Sequence, residues 1–485
     1  MEEIHFTTWT IVVVAILSSI LFLPYLIRSR REKKNKISGL PPLKLPPGGG
    51  GWSSLIGDSV KWYNAISSSH PPSFVEEQIK RYGKIFTCSF FGRKAVVSAD
   101  PAFNRYVMQG EGRLFQSSYP KSFCDLVGKN GVIIVQGEQQ RKLHRISANM
   151  MRLDKVNSNF LAHIQMVMLH TFNSFKDNEV ISLQDISRKM AINLMVNQLL
   201  GVSTESEINE MASLFSDFVD GCLSVPIDLP GFSYHAAMKS REAIIRKIKK
   251  IIESSRQQDE LISSNGVLGK LLEEECLPDE TVADFIINLL FAGSETTAKT
   301  MLFAVYFLTQ CPDALEQLLV EQEKIRSTNS NSILSWDDYK YMPFTQNVID
   351  ETLRLGGIAI WLIREAKDNV EYSDFMIPKG FLVIPFLSAV HLDETIYPGA
   401  LNFNPWRWMD EENMANRNWR SSPYFAPFGG GARHCPGAEL ARLQIALFLH
   451  HFTTKYRWNQ VKDDRMSFFP SARLVNGFQI RIKKI

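Results

Sequence analysis

FGGGARHCPG, residues 428–437, sets three successive glycines, an Arg-His pair and one cysteine directly before the helical run GAELARLQIALFLHHF. Glycines let backbone amides approach a side chain closely. The charge of Arg433 and the N-terminal dipole of the amphipathic helix that follows favour a thiolate over a thiol. Cys435 therefore reads as a soft anionic ligand.

A second segment sits about 140 residues upstream. After Pro278, the run DETVADFIINLLFAGSETTAKTMLFAVYFLTQ from Asp279 to Gln310 is apolar nearly all round and stops before Cys311-Pro312. It predicts a helix of about 48 Å crossing the core. Polar groups buried in such a helix need partners or a task, and Ser294, Glu295, Thr296 and Thr297 stand at its middle. Short β-type runs, IFTCSFFG and KAVVSAD, precede it among helical segments. Residues 158–326 read as largely helical, broken at VPIDLPGF (225–232) and along the polar run from Glu253 to Pro278. The fold class expected is mainly α with small β-sheets.

Composition narrows the partners. With 45% hydrophobic and 22% charged residues the chain has the makings of a large core and lies outside the disordered class. Its net charge of +3 resides in residues 1–40, where Arg28, Arg30, Arg31, Lys33, Lys34 and Lys36 outnumber Glu2, Glu3 and Glu32. The neutral remainder has no basic stripe for a nucleic acid. The 6 cysteines show no paired spacing, which excludes a zinc knuckle or a disulfide framework.

Residues 9–27, WTIVVVAILSSILFLPYLI, carry no charge and as a helix would extend about 28 Å, enough to span a bilayer core. The basic cluster RSRREKKNK follows, which by the positive-inside rule keeps the body cytosolic. A cleavable signal peptide would carry its basic flank before the apolar run. Residues 1–40 are thus expected to be a single-pass membrane anchor with its stop-transfer segment, and 41–52 a Pro/Gly hinge. The segment 53–485 is expected to form the catalytic domain.

Residues 428–437 satisfy the Phe-x-x-Gly-x-Arg-x-Cys-x-Gly haem-binding signature, so the chain resembles the cytochrome P-450 superfamily of haem-thiolate monooxygenases. The resemblance implies the P-450 fold and haem b, with Cys435 on the iron and Phe428, Gly431, Arg433 and Gly437 about it. Glu351 and Arg354 in ETLR match the family's Glu-x-x-Arg helix, and Arg407 in FNPWRW matches the arginine that pairs with it. Arg433, Arg364 and Arg145 hold the propionates by family position. The family often has Trp four positions before the last of these. Arg141 stands there, so Arg141 and His144 are alternatives. AGSETT, residues 292–297, resembles the oxygen-activation motif, in which Ala292 and Gly293 leave room for dioxygen while Glu295 and Thr296 deliver protons.

Electrons are expected from a separate NADPH-cytochrome reductase on the same endoplasmic reticulum membrane, since no flavin or nicotinamide segment is evident. EGRLFQSSYPKS, SAVHLDETIY and FNPWRW resemble plant brassinosteroid-pathway steroid 22-hydroxylases, which implies a sterol-like apolar substrate hydroxylated on its side chain. An oxidase of a triterpenoid or of a gibberellin-precursor diterpenoid is the alternative. A membrane-tethered haem carrier or sensor would share Cys435 but have no use for Glu295 and Thr296. The access route is expected along FCDLVG (123–128), SVPIDLPGF (224–232) and IAIWLI (358–363), with few charges.

Overall fold

Pro278 presets the backbone angle that opens a helix, and Asp279 and Glu280 place negative charge at its positive end. The helix then runs from Asp279 to Gln310, 32 residues, as its apolar pattern predicts. The computed structural model describes residues 44–49, 62, 73–90, 92–152, 158–201, 204–222, 224–257, 266–274, 277–328, 333–468 and 472–485. The expected anchor at 1–40 lies outside the described residues, as does the hinge except for 44–49. Among the described residues no helix is long and apolar enough to cross a membrane.

Residues 45–485 form one unit. It opens with α1 (Ser73–Tyr82), the hairpin β1 (Ile85–Phe90) and β2 (Arg93–Ser98), α2 (Pro101–Gln109) and β3 (Phe115–Ser117). A helical stretch follows: α3 (Lys121–Val127), α4 (Gly137–Met150), α5 (Ser158–Asn173), the short strand β4 (Val180–Ser182), α6 (Leu183–Leu200), α7 (Glu205–Gly221) and α8 (Ser233–Gln257). Next come α9 (Gly266–Glu274), α10 (Asp279–Gln310), α11 (Pro312–Thr328), α12 (Trp336–Lys340) and α13 (Pro343–Leu355). Then follow β5 (Arg364–Ala366), β6 (Val370–Tyr372), β7 (Phe375–Ile377), β8 (Leu382–Pro385), α14 (Leu387–His391), α15 (Glu411–Asn416) and α16 (Ala438–Lys455). Strands β9 (Tyr456–Gln460), β10 (Met466–Ser467), β11 (Arg473–Leu474) and β12 (Gln479–Lys484) close the chain. The architecture is mainly α with small sheets. The polar run before Pro278 is less empty than its composition predicts, because Leu268 and Leu271 of α9 bury one face.

The largest sheet has the order β1-β2-β8-β5-β3. Its β2–β8 pair is parallel, aligning Ala95 with Leu382, while β3 and β5 run antiparallel with Ser117 opposite Arg364. Such pairing fixes where Arg364 stands relative to the turn before β3. The core is built on α10, which packs most extensively against α6 and also touches α13 and α16. α16 departs from the amphipathic reading: Leu440, Leu443, Ile445, Leu447, Phe448 and Phe452 are buried, and so are Arg442, Gln444, His450 and His451. Its polar residues face other buried polar groups rather than water, which a single-helix pattern does not reveal.

His450 Nδ1 lies 2.7 Å from Gln322 Oε1, and His451 Nε2 3.0 Å from Gln165 Oε1. Burial disfavours the imidazolium, holding His450 down at about 4 and His451 well below the ordinary 6.5. Both stay neutral in the fold, whereas the unfolded chain takes up their protons below about pH 6.5. Stability is therefore expected to fall as pH drops from about 6.5 towards 4, by up to about 1.4 kcal/mol per pH unit for each histidine. A thermal-unfolding series over that window should show a shallower fall in His450→Gln than in the parent, and equal slopes would contradict the assignment.

Candidate active site

The 428–437 loop is held by its backbone before any side chain acts. Gly431, at φ +65°, packs so closely on α2 that a Cβ there would sit 2.0 Å from the Met108 carbonyl oxygen. Only glycine meets both demands. A 3-10 turn over Gly431–Arg433 follows, and the Cys435 amide donates to the Phe428 carbonyl at 3.0 Å. From α4, Gln140 Nε2 donates to Ala432 O at 3.0 Å, while His144 Nε2 meets His434 O at 2.6 Å. The His434 ring stacks on Trp419, 4.9 Å between centroids and 9° from parallel.

Cys435 is wrapped by protein yet keeps some accessible surface. Burial pushes its thiol up, opposed by a backbone N–H of Gly437 donated to sulfur. The glycine amide thus does what the sequence predicts, but Arg433 points elsewhere. Its Nε lies 2.6 Å from Glu111 Oε1, Nη1 donates to Ile133 O at 2.8 Å and Nη2 to Gln136 Oε1 at 3.0 Å. Arg364 Nε lies 2.7 Å from Glu111 Oε2. Both arginines therefore converge on one buried carboxylate that sequence reading passed over. Arg145 is exposed on α4, and the loop is met instead by Gln140 and by His144, one of the alternatives named for that role.

Within the buried middle of α10, Ala292 and Thr296 are exposed one turn apart, so the helix presents an open face there. The Thr296 hydroxyl donates to Ala292 O at 2.6 Å. Phe291 beside them packs on Phe123 and Phe218, each at 5.8 Å. At Gly293 a Cβ would lie 2.5 Å from Met195, so its missing side chain also admits α6. Glu295 is turned off the open face. Lys299 Nζ lies 2.8 Å from its Oε1 and Arg188 Nε 3.7 Å from its Oε2. Burial alone pushes this carboxyl up, but the two cations outweigh it and hold it below the ordinary carboxylate range.

Glu351, Arg354 and Arg407 come together with almost no exposure. Arg354 reaches both carboxylate oxygens, at 2.8 and 3.0 Å, and Arg407 Nε donates to Oε1 at 2.9 Å. Trp408 Nε1 and the Asn404 amide also donate to this carboxylate, each at 3.0 Å. The arginines in turn donate to the carbonyls of His391, Pro398 and Gly399. One carboxylate thus ties α13 to the 398–408 segment ahead of the cysteine loop.

A cavity of about 740 Å³ opens between α3, α8 and the first turns of α10. Lys121, Lys129, Arg241, Lys249, Asp125, Glu280 and Asp284 are among its lining residues, so it is a charged space, and no residue of 224–232 or 358–363 lines it. The cause of the charge is the orientation of α3, whose Phe123, Leu126 and Val127 turn into the core. Eight residues, about 12 Å of helix, separate Asp284 from Ala292, so the cavity lies well along α10 from the open face.

The Cytochrome P450 family model matches residues 46–480. The chain belongs to the cytochrome P450 family. Abietadienol/abietadienal oxidase of Pinus taeda is 43% identical over 455 residues, 93% of each chain. Steroid (22S)-hydroxylase of Oryza sativa subsp. japonica is 36% identical over 91% of this chain and 88% of its own. A cholesterol 22-monohydroxylase of Trigonella foenum-graecum is 34% identical over 97% and 96%. The fold is shared with retinoic acid bound cyanobacterial CYP120A1, with a TM-score of 0.79 over 92% of this chain and 100% of that one, at 24% identity.

As a cytochrome P450 the protein is a monooxygenase that uses a haem with cysteine-thiolate-ligated iron, dioxygen, a redox-partner reductase and a hydrophobic substrate, which sets aside the carrier or sensor. The residues present fit that group. Among the described residues no cluster of three or more His, Cys, Asp or Glu could hold a metal ion. Haem asks the chain for one soft ligand, which Cys435 offers, and for cations facing carboxylates, as Arg364 and Arg433 already do at Glu111. Substituting Glu351→Gln should leave Arg354 and Arg407 uncompensated and cost about 3–5 kcal/mol. Denaturant unfolding measures this, and a loss below about 1 kcal/mol would contradict the tie described.

Proposed function

We propose that Cys435 ligates the haem iron, that Arg364 and Arg433 face the propionates, and that the chain oxidises a polycyclic isoprenoid, a diterpenoid alcohol or aldehyde first of all. The observation that carries the substrate is the 43% identity over 93% of both chains to the Pinus taeda oxidase, against 34–36% for the steroid hydroxylases. Steroid 22-hydroxylation is the second reading, supported by the similarity to those enzymes over 91–97% of this chain.

Haem with a thiolate ligand supplies oxygen activation, with the thiolate donating electron density that favours O–O cleavage. The chain's own residues set the rest. Ala292 keeps bulk off the open face of α10, and Phe123, Phe218 and Phe291 give an apolar skeleton a surface to bury itself on, at about 25 cal/mol per Å². The Thr296 hydroxyl stands on that face, where it can hold water and pass a proton. Glu295 supplies the acid of the relay once it swings from Lys299, since as it stands its carboxylate faces away.

Residues 9–27 anchor the chain in the endoplasmic reticulum membrane with 53–485 as the cytosolic catalytic domain, and NADPH-cytochrome reductase supplies the electrons. Exposed Val225, Leu229 and Phe232 before α8 support a second lipid contact. The test is turnover with that reductase on abietadienol, its aldehyde, campesterol and cholesterol. Oxidation of the alcohol and aldehyde with little sterol conversion is the expected result. Side-chain hydroxylation of sterols with no diterpenoid product would install the second reading instead.

A further inference from the structure

We propose that Glu111 is a positioning residue for the cofactor: it holds Arg364 and Arg433 side by side so that a propionate carboxylate completes the charge set. This rests on the reading that those two arginines face the propionates. Glu111 sits in the turn between α2 and β3, its side chain 3% exposed. That turn is stiff, because the amides of Leu114 and Phe115 both donate to Gly110 O and Lys367 Nζ donates to Gly112 O at 2.8 Å.

Each carboxylate oxygen has one guanidinium. Oε1 accepts from Arg433 Nε at 2.6 Å and from the Ser117 amide at 3.3 Å. Oε2 lies 2.7 Å from Arg364 Nε, but the pair is misaligned for a hydrogen bond and both atoms are buried without another partner. Two guanidiniums, with side chains 3% and 9% exposed, thus share a single negative charge. A buried excess cation is costly unless another anion meets it, and a haem propionate is such an anion. The two arginines arrive from distant segments, Arg364 on β5 opposite Ser117 and Arg433 on the cysteine loop. Gln136 also links Arg433 to Ser117, the residue opposite Arg364, but Glu111 is the carboxylate that touches both guanidiniums.

The test uses the full-chain holoprotein and no substrate: haem transfer to excess apomyoglobin, and the iron reduction potential by spectroelectrochemistry. Glu111→Gln keeps the shape and removes the charge, so haem release should rise about tenfold or more. Its potential should shift upward, because a negative charge near the iron opposes reduction. Glu111→Asp keeps the charge but cannot span both arginines, so it should release haem faster at an unchanged potential. This variant decides the matter if Glu111→Gln fails to fold. Release at the parent rate in the Glu111 variants, while Arg364→Met and Arg433→Met release faster, overturns the role of Glu111 and leaves the propionate reading standing. Parent-like release in all four variants overturns the propionate reading itself.

Discussion

The carbonyl oxygen of Met108 leaves no space for a side chain at Gly431, and that contact fixes where Cys435 stands. Once the loop is pressed on α2, its remaining bonds follow in order. Gln140 and His144 reach it from α4, Arg433 crosses to Glu111 and to the carbonyls around residue 133, and α16 departs directly beyond the sulfur. Behind this, Glu351 gathers two arginines, a tryptophan and a backbone amide from segments far apart in sequence. The cysteine is therefore presented by a rigid frame, which a ligand needs if its sulfur is to meet a metal without a search over conformations.

Local chemistry was readable in the chain, and long-range partnership was not. Pro278, two acids and an unbroken apolar run were enough to place both ends of α10, and the glycine-cysteine spacing was enough to single out one of the six cysteines. Lys299 as the partner of Glu295 was available too, since residues four apart share a helix face. Glu111 gave no such signal, because its meaning comes from arginines 253 and 322 residues away. The Met195 contact of Gly293 was hidden for the same reason, since one helix's sequence says nothing of the methionine that a second helix puts beside it. The charged cavity escaped notice because α3 alternates apolar and polar residues, and only packing decides which side turns outward.

Polar and apolar features divide the interior. Aromatic rings of α3, α7 and α10 meet beside Ala292, while lysines, an arginine and acids line the cavity nearer the start of α10. The buried ion pair of Glu295 belongs to the same logic, since a carboxylate fixed by two cations has to exchange partners before it can reach the open face.

Everything proposed for the reaction depends on one sulfur. Cys88, Cys124, Cys222 and Cys311 provide internal controls of the same chemistry at other depths in the fold. The decisive measurement is the carbon-monoxide difference spectrum of the reduced holoprotein for each Cys→Ala variant. The band of thiolate-ligated haem should vanish in Cys435→Ala and persist when any of the other five cysteines is replaced. A Cys435→Ala protein that keeps the band, or loss of the band on replacing a different cysteine, would contradict the assignment on which the site is built.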